Sequence, residues 1–116
     1  MDLDKAIKKR KSVRRFSSKK PDWRKILRAI DLARFAPAAG NKFITKFILV
    51  QDEKKIQKIA QACQQEFVGT SKAIVVVVSE VSKLERLYGE RAKRYASTQT
   101  GAAIQNFILK LTEEGL

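Results

Sequence analysis

Four cations and a hydroxyl fall within seven residues at Arg10-Lys11-Ser12-Val13-Arg14-Arg15-Phe16. Side chains alternate along an extended chain, so there Arg10, Ser12 and Arg14 would project to one side and Lys11 and Val13 to the other. Two guanidinium forks and a hydroxyl on one side match the oxygens of a phosphate. The same stretch also reads as a solvated basic turn. Further on, Ala36-Pro37-Ala38-Ala39-Gly40-Asn41 offers small side chains that let backbone amides approach a flat ligand. It ends in an amide, Asn41, that both donates and accepts toward a ring edge of alternating C=O and N–H. Taken alone, it is first of all a helix terminator with Gly40 near the cap.

Elements must position these groups, and helical and strand periodicities supply them in order. Leu3, Ala6 and Ile7 give a short helix over residues 3–9 that runs into the basic stretch. Pro21 marks a break, and Asp22 caps a second helix with the apolar stripe Trp23, Ile26, Leu27, Ile30 and Ala33. Pro37 and Gly40 end that helix. A strand follows over Thr45 to Val50. Asp52 starts a third helix with a core face of Ile56, Ile59, Ala60, Cys63 and Phe67, closed by Gly69. Ala73 to Val78 is β-branched on both faces, the pattern of a central strand buried on both sides. Residues 82–94 predict a charged helix, and a last helix runs from about Tyr95 to Glu114. Its Ile104, Phe107, Ile108 and Leu111 form an apolar face that calls for a partner surface. Two strands make an incomplete sheet, since a third is normally needed for independent stability.

Composition narrows the chemistry. The 116 residues make a single domain, and no apolar run approaches the ~20 residues that span a bilayer. There is no histidine and one cysteine, which argues against a zinc site and against an internal disulfide. Cys63 falls in the apolar phase of the third helix and is assigned to the core. The basic amino terminus is followed by no apolar segment, so no secretory signal is read, and the expected location is cytoplasmic. The net charge is +13, and residues 1–28 carry twelve Lys or Arg against three acids. Such a block suits a solvated face, a phosphate site or a polyanion.

The two loops together, in this order, resemble the nitroreductase family of FMN-dependent oxidoreductases. Arg10, Ser12, Arg14 and Phe16 match its Arg-x-Ser-x-Arg/Lys-x-Phe motif, and Ala36, Pro37 and Asn41 match its Ala-Pro-Ser-x-x-Asn loop. Phe47 to Asp52, Gln65-Glu66-Phe67-Val68 and Thr100 to Leu109 are similar to later family segments, so the resemblance covers the whole chain. It implies an α/β (α+β) fold with a mainly antiparallel sheet flanked by helices. It also implies a homodimer with shared active sites and the last helix at its core. By the resemblance, Arg10, Ser12 and Arg14 bind the phosphate and ribityl chain of FMN, and Lys11 lies near the ring. Pro37, Ala38, Ala39 and Asn41 reach the flavin of the other subunit, and Gln65 is a further candidate for the ring edge. No side chain is expected to act as a catalytic acid or base.

The chain departs from the pattern in three places. Ala38 stands where the family has Ser, Phe43-Ile44-Thr45 replaces a Gln-Pro-Trp beside the substrate pocket, and family chains continue past the Gly-Leu that ends the last helix. The expectation is therefore a short or carboxyl-terminally truncated member. The implied reaction passes electrons from NAD(P)H through FMN to a nitroaromatic, quinone or similar small acceptor. The alternatives are a non-catalytic flavin-binding remnant and a basic nucleic-acid-binding module. The latter is disfavoured because the aromatics do not interleave with the cations.

Overall fold

The computed structural model describes residues 1–116. Seven elements follow one another: α1 (Leu3–Lys9), α2 (Trp23–Ala33), β1 (Thr45–Val50), α3 (Glu53–Cys63), β2 (Ile74–Ser79), α4 (Ser82–Tyr88) and α5 (Ala92–Glu113). Short 3₁₀ turns stand at Ala39–Asn41, Glu66–Thr70 and Gly89–Arg91. Aspartate starts each of the first three helices. Asp2 accepts from the Lys5 N–H at 2.8 Å, Asp22 from Arg24 at 3.0 Å and Asp52 from Lys55 at 3.0 Å. Each supplies an acceptor to an N–H that the first helical turn leaves without a partner.

β1 and β2 pair antiparallel, with Thr45 opposite Ser79 and Val50 opposite Ile74. This is an α+β arrangement with an antiparallel sheet, as expected. One face of the sheet presents Phe47, Leu49, Ala73 and Val75 to a core of Ile26, Ala29, Ala33, Ala36, Ala103 and Phe107, drawn mainly from α2 and α5. Phe47 and Phe107 meet with ring centroids 5.4 Å apart. A second core, Ile44, Leu84, Ala92 and Ala96, sits where α4 and the start of α5 meet the end of the Asn41 loop. Arg28 of α2 pairs with Glu114 at the end of α5, at 3.3 Å. The Lys25 ammonium donates to the Glu114 carbonyl at 3.1 Å.

Several expectations are corrected. β2 is not buried on both sides. Its residues are half-buried, and Ile48 and Val78 on the face away from α2 and α5 keep 48% and 40% exposure. The helices that cover one face of a two-stranded ribbon leave the other open. α3 ends at Cys63 because Gln64 adopts a left-handed conformation (φ 56°, ψ 37°). Phe67 therefore lies beyond the helix, Gly69 belongs to the following 3₁₀ turn rather than closing α3, and Cys63 is exposed, not core. α2 stops at Ala33, before Pro37 is reached. Residues 82–94 are broken at Gly89 (φ 53°), so α5 begins at Ala92 rather than Tyr95. The face that α5 buries is Ala92, Ala96, Gln99, Ala103 and Phe107. Of the expected apolar face, only Phe107 is fully buried, while Ile104, Ile108 and Leu111 are half-buried.

Candidate functional site

The cationic segment begins where α1 stops. Arg10 caps α1, donating its backbone N–H to the Ala6 carbonyl, and then turns out of the helix (φ −56°, ψ 131°). Lys11 to Arg14 follow without regular structure and exposed, while Arg10 is half-buried. None of Arg10, Lys11 or Arg14 enters a salt bridge. What holds the segment is aromatic. The Arg14 guanidinium lies 5.9 Å from the centroid of Phe67, and the Phe16 ring lies 6.2 Å from it. Phe67 belongs to the turn that Gln65 introduces. The fold thus brings Phe67, two residues after the exposed Gln65, against Arg14, although some fifty residues separate them in sequence.

The second segment is built differently. Ala36 is buried in the α2–α5 core, and Pro37 is exposed. Ala38 is extended, and Ala39–Asn41 form a 3₁₀ turn in which both Gly40 (φ 60°) and Asn41 (φ 56°) are left-handed. Glycine adopts this conformation freely, and Asn is among the few other residues that tolerate it. Space at position 40 is also tight, since an added Cβ would stand 3.1 Å from Leu87 Cδ1 and 3.2 Å from the Tyr88 hydroxyl. Beneath the turn, the side-chain amide of Gln99 accepts from the Ala39 N–H at 3.0 Å and donates to the Lys42 carbonyl at 3.0 Å. Asn41 itself is exposed.

No hydrogen bond or ion pair joins residues 10–16 to residues 37–42 within one chain. A concavity of 840 Å³ lies elsewhere. Of the two motifs only Phe16 borders it, on a floor that includes Ile26, Val75 and Phe107 and under a rim of Lys19, Lys20 and Lys72. None of Arg10, Lys11, Ser12, Arg14, Pro37, Ala38, Ala39, Asn41 or Gln65 lines it. The groups whose titration the fold displaces also lie outside the two motifs. Arg24 holds the Asp22 carboxyl below its ordinary range, Lys46 does the same for Glu80, and Arg28 for Glu114.

Sequence reasoning overlooked Gln99, Phe67 as an aromatic anchor, and Tyr88 beside the loop. Only Gln99 carried a readable signal. It falls in helical phase with Ala92, Ala96 and Ala103, a place where a polar residue needs a specific partner.

Comparison with known proteins bears on this geometry. The model of the nitroreductase family matches residues 7–71 and 61–116. A curated relative, the iodotyrosine deiodinase of Thermotoga neapolitana, is 25% identical over 125 residues, covering 94% of this chain and 67% of that protein. The solved structure of a nitroreductase family protein from Clostridium novyi NT superposes with a TM-score of 0.86 at 30% identity, over 99% of this chain and 66% of that one. NADPH:FMN oxidoreductase from Vibrio harveyi, solved in complex with NAD+, shares the fold at a TM-score of 0.81 and 17% identity, over 97% of this chain and 52% of that one. The chain thus spans about two thirds of the length of the first two. With a family model that takes in both loops and nearly every element between and beyond them, the chain belongs to the nitroreductase family.

Proposed function

We propose that this chain is a flavin-dependent oxidoreductase that binds FMN, accepts electrons from NADH or NADPH and delivers them to a small acceptor such as a nitroaromatic or quinone. The observation that carries the reading is the free cationic segment. Arg10, Lys11 and Arg14 are held at the end of α1 with no internal anion, beside an aromatic anchor. Guanidiniums free of an internal anion fit a phosphate group. Arg10, Ser12 and Arg14 would hold the phosphate and ribityl chain. Lys11 would place positive charge near the ring, and Gln65 would lie at its edge. The left-handed turn presents an exposed Asn41 after the small residues Ala38, Ala39 and Gly40, as an amide meeting a flat polar ring requires. When bound, FMN supplies the redox chemistry, which needs no side-chain acid or base from the protein.

In this reading two copies associate through α5, where Ile104, Ile108 and Leu111 remain half-buried in the single chain. Pro37, Ala38, Ala39 and Asn41 then serve the partner's flavin, which accounts for the lack of polar contact between the two motifs within one chain. The names of similar proteins support the chemistry at the level of class. One is an NADPH:FMN oxidoreductase, and another acts as a deiodinase. The replacement of the family's Gln-Pro-Trp by Phe43-Ile44-Thr45 leaves the acceptor to be found by assay.

The test is direct. Purified protein should take up FMN with the absorption bands of a bound flavin and then oxidise NADH or NADPH when a nitroaromatic or quinone is added. Flavin binding without oxidation of either donor would favour a non-catalytic flavin protein. No flavin binding, together with salt-dependent binding of nucleic acid, would favour the basic module. Sedimentation at micromolar concentration should give a dimer, and a monomer would remove the shared-site arrangement.

A further inference from the structure

We infer that Gln99 is a positioning residue, whose side-chain amide sets the turn that presents Asn41 to the cofactor. The inference rests on the flavin reading above and goes further, because it assigns a role to a helix residue outside both motifs. Gln99 is 6% exposed, at the buried face of α5 between Ala96 and Ala103. A glutamine in such a place is costly to desolvate unless its amide is bonded. Both ends of the amide are bonded, and to one short stretch of backbone. The oxygen accepts from the Ala39 N–H and the nitrogen donates to the Lys42 carbonyl, each at 3.0 Å. The orientation of the amide follows from its partners, since a backbone N–H can only donate and a carbonyl can only accept.

The bracketed residues are those that adopt the unusual conformation. Gly40 and Asn41 are left-handed in succession, at φ 60° and 56°. For Asn41 that conformation lies above the right-handed alternative, and the turn's own bonds run from the Asn41 N–H to the Ala38 carbonyl at 3.0 Å and from the Lys42 N–H to the Ala39 carbonyl at 3.1 Å. Leu87 and Tyr88 limit the loop from the side but make no hydrogen bond to it. Gln99 is thus the side chain that fixes the entry and the exit of the turn to a long helix. Because α5 also packs on α2 through Ala103 and Phe107, the turn is referenced to the main core of the domain.

Three proteins and three readouts test this. Gln99→Met keeps the side-chain shape and removes both hydrogen bonds. Phe107→Leu loosens the same helix two turns away without touching the loop and serves as the control for stability. We expect Gln99→Met to weaken FMN binding about tenfold, equivalent to about 1.4 kcal/mol. Phe107→Leu should weaken it less than about twofold even where its thermal midpoint falls as far, because two hydrogen bonds of roughly 1 kcal/mol each are at stake only in the first variant. In a flavin-free measurement, the Ala39 amide should exchange slowly in the wild type and fast in Gln99→Met. Equal FMN affinity in wild type and Gln99→Met, or losses that simply follow the thermal midpoint in both variants, would overturn the inference. So would an unprotected Ala39 amide in the wild type. A wild type that protects that amide but binds no FMN would instead overturn the flavin reading, and the cofactor role of Gln99 with it.

Discussion

Residues 10–16 and residues 37–42 both leave a helix and both offer groups suited to a nucleotide, but the protein holds them differently. The second stretch is seated on a core of its own, with Gln99 bonded beneath it and Leu87 and Tyr88 against it. The first stretch makes no internal ion pair and touches the rest of the chain through the ring of Phe67. A turn that must present one amide in a demanding backbone geometry needs the fold to shape it in advance. A set of cations that must meet a phosphate needs only to stay free of competing anions, because charge attraction is tolerant of direction. Of the two stretches, one is shaped before any ligand arrives and the other is completed by it.

Substitutions can break this contrast. The largest effect should come from Leu84→Ala, since Leu84 is 0% exposed and lies in the core with Ile44, Ala92 and Ala96 under the loop. A loss of about 2–5 kcal/mol is expected in denaturant unfolding. A loss below about 1 kcal/mol would show that the loop has no core of its own, since most of that range comes from the cavity left behind. Arg10→Ala should do the opposite. Each charged hydrogen bond contributes about 1.5–3 kcal/mol, so FMN affinity should fall roughly 10- to 150-fold. Stability should stay within about 0.5 kcal/mol. An affinity that does not change would remove Arg10 from the phosphate site.

Gly40→Ala probes the shaped stretch more gently. The left-handed conformation costs about 1–2 kcal/mol for a residue with a Cβ, and the new methyl would crowd Leu87 and Tyr88. A drop of that size is expected in thermal unfolding, and an unchanged midpoint would mean that the turn is not held at its present angles. The smallest effect concerns acid. Arg28 first, with help from Lys110, holds the Glu114 carboxyl below its ordinary range. A carboxyl lowered by folding stabilises the protein above its unfolded value of about 4.3 and loses that contribution as pH falls through the folded value. Stability should therefore decline below about pH 4, and Glu114→Gln should shallow that decline, as read by unfolding at a series of pH values. A decline of the same slope in both proteins would show that the pair adds nothing.

Much of the framework was legible because it depends on local signals. Asp22 and Asp52 cap helices where short polar acceptors precede apolar periodicity. β1 spans Thr45–Val50 as the apolar run Phe47, Ile48, Leu49 and Val50 says. The failures share a cause. The apolar phase of α3 continues to Phe67, but a left-handed Gln64 ends the helix and sends Phe67 to Phe16 instead. On α5 large side chains drew the reading toward Ile104, Ile108 and Leu111, whereas close packing against α2 and α4 selects small ones at Ala92, Ala96 and Ala103. Of the candidate site, the motif residues were visible and their supports were not. Gln99 and Phe67 act through contacts about fifty to sixty residues distant in sequence, which no local pattern encodes.

Cys63 has a practical consequence. It is the chain's one thiol, it is exposed at the last position of α3, and the turn that carries Phe67 begins shortly after it. A maleimide dye or nitroxide attached there would report from the edge of the cationic segment without disturbing either core. One label per chain gives a single environment in a monomer and a single pairwise distance in a symmetric dimer. The same labelled sample could therefore follow flavin titration through changes in probe mobility and read out association through spin–spin coupling, with no engineered cysteine.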